Sequence, residues 1–159
     1  VGLEVTGVRS VEEMLISLDS KGKKRVVSAL YKAAQDTMRL ARAMAPVDEG
    51  NLEKAIKISP TELGRIRDEY GRFARTEIEV YIDMNMPIPE RPGKTVGDYA
   101  YEIHEHLTPY GFMQLGPKSQ SKQARSGIEV GGGFLDRAAA EIEKGLDQRL
   151  RNVLDELGL

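Results

Sequence analysis

Ala41-Arg42-Ala43-Met44-Ala45-Pro46-Val47-Asp48-Glu49-Gly50-Asn51-Leu52-Glu53-Lys54-Ala55-Ile56 is the stretch on which the fold turns. Upstream of it, Val27, Leu30, Ala34, Met38, Ala41 and Ala45 recur at spacings of three and four, which is one face of a helix. That face is rich in Ala, so whatever packs on it can approach closely. The pattern predicts a helix from about Lys23 to Ala45, roughly 35 Å long. Pro46 stops it, because the residue before a proline is pushed out of the helical region. Val47 to Asn51 is a turn by composition. Asp48 can accept from turn amides, Gly50 can take a positive φ, and Asn51 can bond locally before Leu52 returns to the core. A strand from Leu52 to Ile58 follows, with one helical turn ahead of it as the alternative.

Towards the N-terminus, Gly2 to Val8 alternates like a short strand. Ser10-Val11-Glu12-Glu13 has the form of a capping box, opening a short helix to about Leu18. Asp19 to Gly22 is expected to break that helix. The basic run Lys21, Lys23, Lys24, Arg25 reads as the solvated start of the long helix.

Towards the C-terminus, Pro60 to Arg75 is highly charged and is a hairpin excursion, a short helix or a mobile loop. In Thr76 to Asp83, Ile78, Val80 and Ile82 alternate with Glu77, Glu79, Tyr81 and Asp83, which is a half-buried strand. Met86 to Gly93 carries three prolines and cannot be regular structure. Tyr99 to Leu107 is a short helix or a strand. Thr108 to Gly133 reads as a long polar, Gly-rich loop, of the kind that orders on a partner. Leu135, Ala138, Ile142, Leu146, Leu150, Val153 and Leu157 form the apolar stripe of a last helix from Phe134 to Leu157. Arg137–Glu141 and Asp147–Arg151 are candidate ion pairs along it. The expected fold is α+β: a small antiparallel sheet packed by a long helix in the N-terminal half and a long C-terminal helix. It would be one domain over 1–159, with extended loops at about 59–75 and 84–133.

Composition narrows function by exclusion. The chain is 40% hydrophobic and 30% charged, with a net charge of -2, which lacks the basic balance of a dedicated nucleic-acid binder. It has no Cys, so disulfides, thiolate zinc sites and cysteine nucleophiles are excluded. No apolar run is long enough for a membrane span, and the first residues lack a secretory layout. No phosphate-binding glycine motif is present. Gly131-Gly132-Gly133 reads as a flexible joint, with an anion cradle as the alternative. Were Glu102 to His106 a strand, Glu102, His104 and His106 would share a face, which is the basis for a metal-dependent hydrolase as the competing function. Ser119-Gln120-Ser121-Lys122 matches SxxK but falls in a polar loop rather than at a helix start inside a cleft. No catalytic, cofactor or metal residues are assigned, and the chain is expected not to be an enzyme.

The long helix running into Ala45-Pro46-Val47-Asp48-Glu49-Gly50-Asn51-Leu52 resembles the tail-component family of long-tailed bacteriophages. Tyr99-Ala100-Tyr101-Glu102-Ile103-His104-Glu105 is similar to that family's Tyr-Ala-x-x-x-Glu-x-Gly stretch, although His106 and Leu107 stand where the Gly is expected. Gly133-Phe134-Leu135-Asp136-Arg137-Ala138-Ala139 looks like its Pro-x-Phe-Leu-x-Pro-Ala lead-in to the C-terminal helix, with Gly133 in place of proline. The resemblance implies a structural subunit of the phage neck or tail-completion region, made in the host cytoplasm and residing in the virion. It implies a homo-oligomeric ring, hexamer or dodecamer, that contacts other neck, connector and tail proteins. Genomic DNA would be touched at most non-specifically, with no membrane and no cofactor. A head-closure or adaptor protein is the neighbouring alternative.

On this reading Ala45, Pro46, Val47, Asp48, Gly50, Asn51 and Leu52 define the fold. Assembly contacts are expected from Pro60–Arg75 and Pro87–Gly133. The candidates are Arg65, Arg67, Tyr70 and Arg72, then Pro87, Pro89, Tyr99, Tyr101 and Glu102, and finally Phe112, Lys118 and Phe134.

Overall fold

The computed structural model describes residues 18, 20–47, 49–59, 66–67, 73–75 and 78–158, with the backbone alone for 20, 66–67 and 73–75. The expected opening strand, the Ser10–Glu13 capping box, Asp48, Arg65, Tyr70 and Arg72 lie outside the described residues.

Helix α1 spans Ser20–Met44. Ser20–Gly22, from the segment expected to break a preceding helix, stand in the first turn of α1, where free backbone amides tolerate Ser and Gly. Its inner face is set one position from the one expected at its start: Val26, Ala33, Ala34, Thr37, Ala41 and Ala45 are buried, while Val27 and Leu30 are half-buried. The Thr37 hydroxyl donates to the Ala33 carbonyl at 3.0 Å, so this buried polar group is satisfied within its own helix.

The chain reverses through Pro46–Gly50, and Gly50 sits at φ 79°. Helix α2, Asn51–Ala55, is the single turn that precedes strand β1, Ile56–Ile58. Strand β4, Val80–Ile82, lies antiparallel to β1, with Ile56 opposite Ile82 and Ile58 opposite Val80. Between them β2, Ile66–Arg67, pairs antiparallel with β3, Phe73–Arg75. Within the charged excursion the described residues thus form an antiparallel pair. After β4 come helices α3, Gly97–His106, α4, Pro117–Ser126, and α5, Phe134–Glu156.

Helices α1 and α5 run antiparallel. Arg25 meets Glu156 at 3.1 Å and Arg149 meets Asp36 at 2.6 Å, while at the other end the Gly131 amide donates to the Met44 carbonyl at 2.9 Å. α1 also packs on β1 and β4. It is thus the central element, and α5 reaches the core through Phe134, Leu135 and Ala138. Ala34, Ala41, Ala45, Leu52, Ala55, Ile56 and Val80 fill the rest, joined by Ile88, Val96 and Ala100. Ala at five helical positions of this cluster lets the backbones approach, and Phe134, wholly buried, fills the space left over. Burying that ring contributes about 1.5–3 kcal/mol. The α+β architecture read from the sequence is the one observed.

The region expected to be one loop from Thr108 to Gly133 is not. It contains α4, whose start has Pro117 at its first position and whose end has Gly127 at φ 69°. Those are the residues that favour a helix start and stop. No apolar stripe announces α4, which is why periodicity passes over it.

Candidate assembly interface

The turn at 45–52 is a hub held by polar clamps. Arg42 donates twice to the Ile56 carbonyl, at 3.1 and 2.7 Å, tying the end of α1 to β1. The buried Asn51 does not bond locally as expected. Its amide reaches Glu90 at 3.0 Å, locking the turn to the proline-rich segment. That bond, followed by Glu90's own backbone amide, holds the Glu90 carboxyl below the usual range. Across the sheet, Lys57 donates to Asp83 at 2.6 Å and draws the Asp83 carboxyl down likewise.

Helix α4 docks on this hub without apolar burial. The Ser119 hydroxyl accepts from the Val47 amide at 2.9 Å and faces its carbonyl at 3.3 Å. Lys122 donates to the carbonyls of Arg42 and Ala45, at 2.6 and 2.8 Å, and to Glu53 at 2.5 Å. Two of its three protons thus meet the carbonyl end of α1, where a cation is favoured. Ser119 and Lys122 do stand on a helix, but each is spent on the hub. The SxxK match is structural.

Helix α3 begins with Asp98 accepting from the Thr95 amide at 2.8 Å, half of a capping box that the sequence displays as Thr95-Val96-Gly97-Asp98. A helix, not a strand, carries the two histidines, and this separates them. His104 is buried, with Phe134 at 5.0 Å and Tyr110 at 6.1 Å between ring centroids, and its Nδ1 lies 2.8 Å from Glu105. His106 faces outward, 2.7 Å from Glu102. The shared face on which the hydrolase alternative depended is absent. Among the described residues no three His, Asp or Glu side chains gather as a metal set.

Gly131, Gly132 and Gly133 are neither a flexible joint nor an anion cradle. All three are buried, and their amides donate to Met44, Thr108 and His104 carbonyls at 2.9, 2.9 and 2.7 Å. A Cβ on Gly132 would stand 2.3 Å from the Leu107 carbonyl oxygen, and one on Gly133 would strike the Tyr110 ring. The run lets the chain cross directly beneath α3 before α5 starts. Arg137 donates to the Gly132 and Glu129 carbonyls instead of pairing with Glu141, which meets Lys144.

The outer side of this crossing exposes rings. Phe112 is 83% exposed and Tyr101 63%. His106 stands between them, with both centroids 6.3 Å away. Tyr110 and Met113 are also exposed, but the Tyr110 ring lies against His104 and Gly133. Of the expected contact residues, Tyr101, Glu102 and Phe112 come together here. Pro87, Pro89 and Lys118 are exposed elsewhere, and Lys118 meets Glu49 at 3.1 Å. Tyr99 packs partly against the core, and Phe134 is wholly buried, so Phe134 is withdrawn as a contact: its ring faces inward from the first turn of α5. The side chain of Arg67 lies outside the described residues. His106 was missed as a member. The spacing of Tyr101 to His106 on a helix followed by a Gly-Phe-Met turn is the signal that marks it.

Residues 10–85, just under half of the 159, match the family described as "Bacteriophage HK97-gp10, putative tail-component". No curated protein and no solved structure matches the chain. The match takes in α1, the hub turn, α2 and strands β1 to β4. The likeness first seen in the Ala-Pro-Val-Asp-x-Gly-Asn-Leu turn is thereby extended over the segment that contains it: residues 10–85 are similar to a phage tail-component family. Among the described residues no helix is long and apolar enough to cross a membrane.

Proposed function

We propose that this phage tail component is a structural subunit at the head–tail junction, where copies form a ring that joins tail to head. It acts by binding other subunits and turns over no substrate. The observation that carries the proposal is the row Tyr101–His106–Phe112. Large rings held in solvent by a rigid helix and a tightly bonded turn are what an assembly contact uses as anchors. The hub beneath them supplies the stiffness. A hexameric or dodecameric ring, stacked on other connector and tail proteins in the neck of the virion, is the arrangement this reading implies. DNA would pass without sequence-specific contact.

Electron microscopy of particles produced without this chain tests the role. Filled heads and separate tails, rejoined when the chain is supplied in trans, are expected. Normally joined particles in its absence would contradict it.

A further inference from the structure

A second surface complements the ring-bearing face. Between the start of α1 and the end of α5 lies a groove of about 510 Å³, lined by Arg25, Ser28, Ala29, Lys32, Arg149, Asn152, Val153 and Glu156. Ala29 and Val153 form an apolar floor, and the long stems of the basic residues form walls. Arg25 is paired with Glu156 and Arg149 with Asp36, which leaves about one net positive charge on the lining, centred on Lys32. The face formed by residues 97–113 has the opposite sign: Asp98, Glu102 and Glu105 are its carboxylates, and it contains no Lys or Arg.

The two surfaces stand at opposite ends of the α1/α5 pair. The crossing under α3 is bonded to Met44, the last residue of α1, whereas Ser28 of the groove is sixteen residues back, or about 24 Å along the helix axis.

Resting on the ring reading above, we infer that the occupant of this groove is the 97–113 face of a second copy. Phe112 enters over Ala29 and Val153. The flanking guanidinium and ammonium groups cover its ring and that of Tyr101. Glu102 meets Lys32. Because knob and groove are different surfaces on one chain, each copy has one of each to offer. The contact is therefore head-to-tail and propagates, closing as a ring where the rotation allows.

Cross-linking tests it on the full chain, which has no cysteine of its own. Ser28→Cys and Gln114→Cys place one thiol in the groove and one beside Phe112, which is left in place. Mixed in equal amounts under mild oxidation, the two variants are expected to form mixed dimers about ten times faster than either forms dimers alone, since a disulfide needs Cα atoms within about 7 Å. Phe112→Ala in the Gln114→Cys chain removes that excess. Lys32→Glu and Glu102→Lys each weaken it, and a protein with both changes in every copy recovers it, because the charges are exchanged across the contact. Equal rates for mixed and unmixed dimers overturn the inference. If rings are seen by sedimentation while mixed links form no faster, the ring reading stands and this interface falls. The particle-joining experiment is the separate measure of the neck role.

Discussion

The body formed by α1, the β1–β4 ladder and the start of α5 is held mainly by apolar burial. The segment from α3 to the triple glycine also buries Ala100, Leu107 and Val130, but its α4 and its glycine crossing are held by hydrogen bonds and by the absence of side chains. In the first region Phe134, Ile56 and the Ala-rich face of α1 exclude water. In the second, Gly132 donates to a carbonyl and leaves no room for a Cβ, and α4 hangs on Ser119 and Lys122. The difference shows how a small chain presents large rings to solvent without collapsing on them. The presenting segment is fixed by directional bonds to a body that its own rings do not help to fill.

That contrast is open to attack at graded strength. Phe134→Ala leaves a cavity between α1, α3 and α5 and is expected to cost about 3–5 kcal/mol of global stability by denaturant titration. Gly132→Ala forces a Cβ onto the Leu107 and His104 carbonyl oxygens and is expected to cost about 1–3 kcal/mol, displacing α3 from the crossing. Lys122→Ala leaves Glu53 without its partner and the end of α1 uncapped. A loss of about 1–3 kcal/mol is expected, appearing first as faster amide exchange confined to α4. If instead the whole protein loosened together, the two regions would be one cooperative unit and the contrast would be wrong.

Acid is expected to act more gently, through Asp83 and Glu90. Both carboxyls are held below their ordinary values of 3.8 and 4.5, so their stabilisation is full above those values and fades as pH falls through the lower folded ones. Asp83→Asn with Glu90→Gln should flatten that acid limb of a stability–pH curve and leave the neutral region nearly level. Phe112→Ser should change stability by no more than about 0.5 kcal/mol, because the ring touches little of its own chain.

The body was legible in the sequence because its signals are local and redundant: periodicity in α1 and α5, Pro46 as a stop, Gly50 for a positive φ, and alternation in β4. Near misses there, such as Val27 for Val26, follow from reading an Ala-rich face that has no sharp edge. The second region was misread because its signals are of another kind. α4 buries only Ser119 and so has no period to detect, although Pro117 and Gly127 bracket it. The glycines suggested freedom, whereas their role is closeness, which only a partner in space reveals. Tyr101 and Phe112 were identified as contacts, but their meeting through His106 depends on α3 being a helix.

Radical footprinting of side chains, on the free protein and on intact particles, tests the central claim most directly. The account predicts strong labelling of Tyr101 and Phe112 in the free chain, loss of most of it in the particle, and negligible labelling of Phe134 in both. Equal labelling of Tyr101 and Phe112 in the two states, or particles that contain none of this chain, would contradict it.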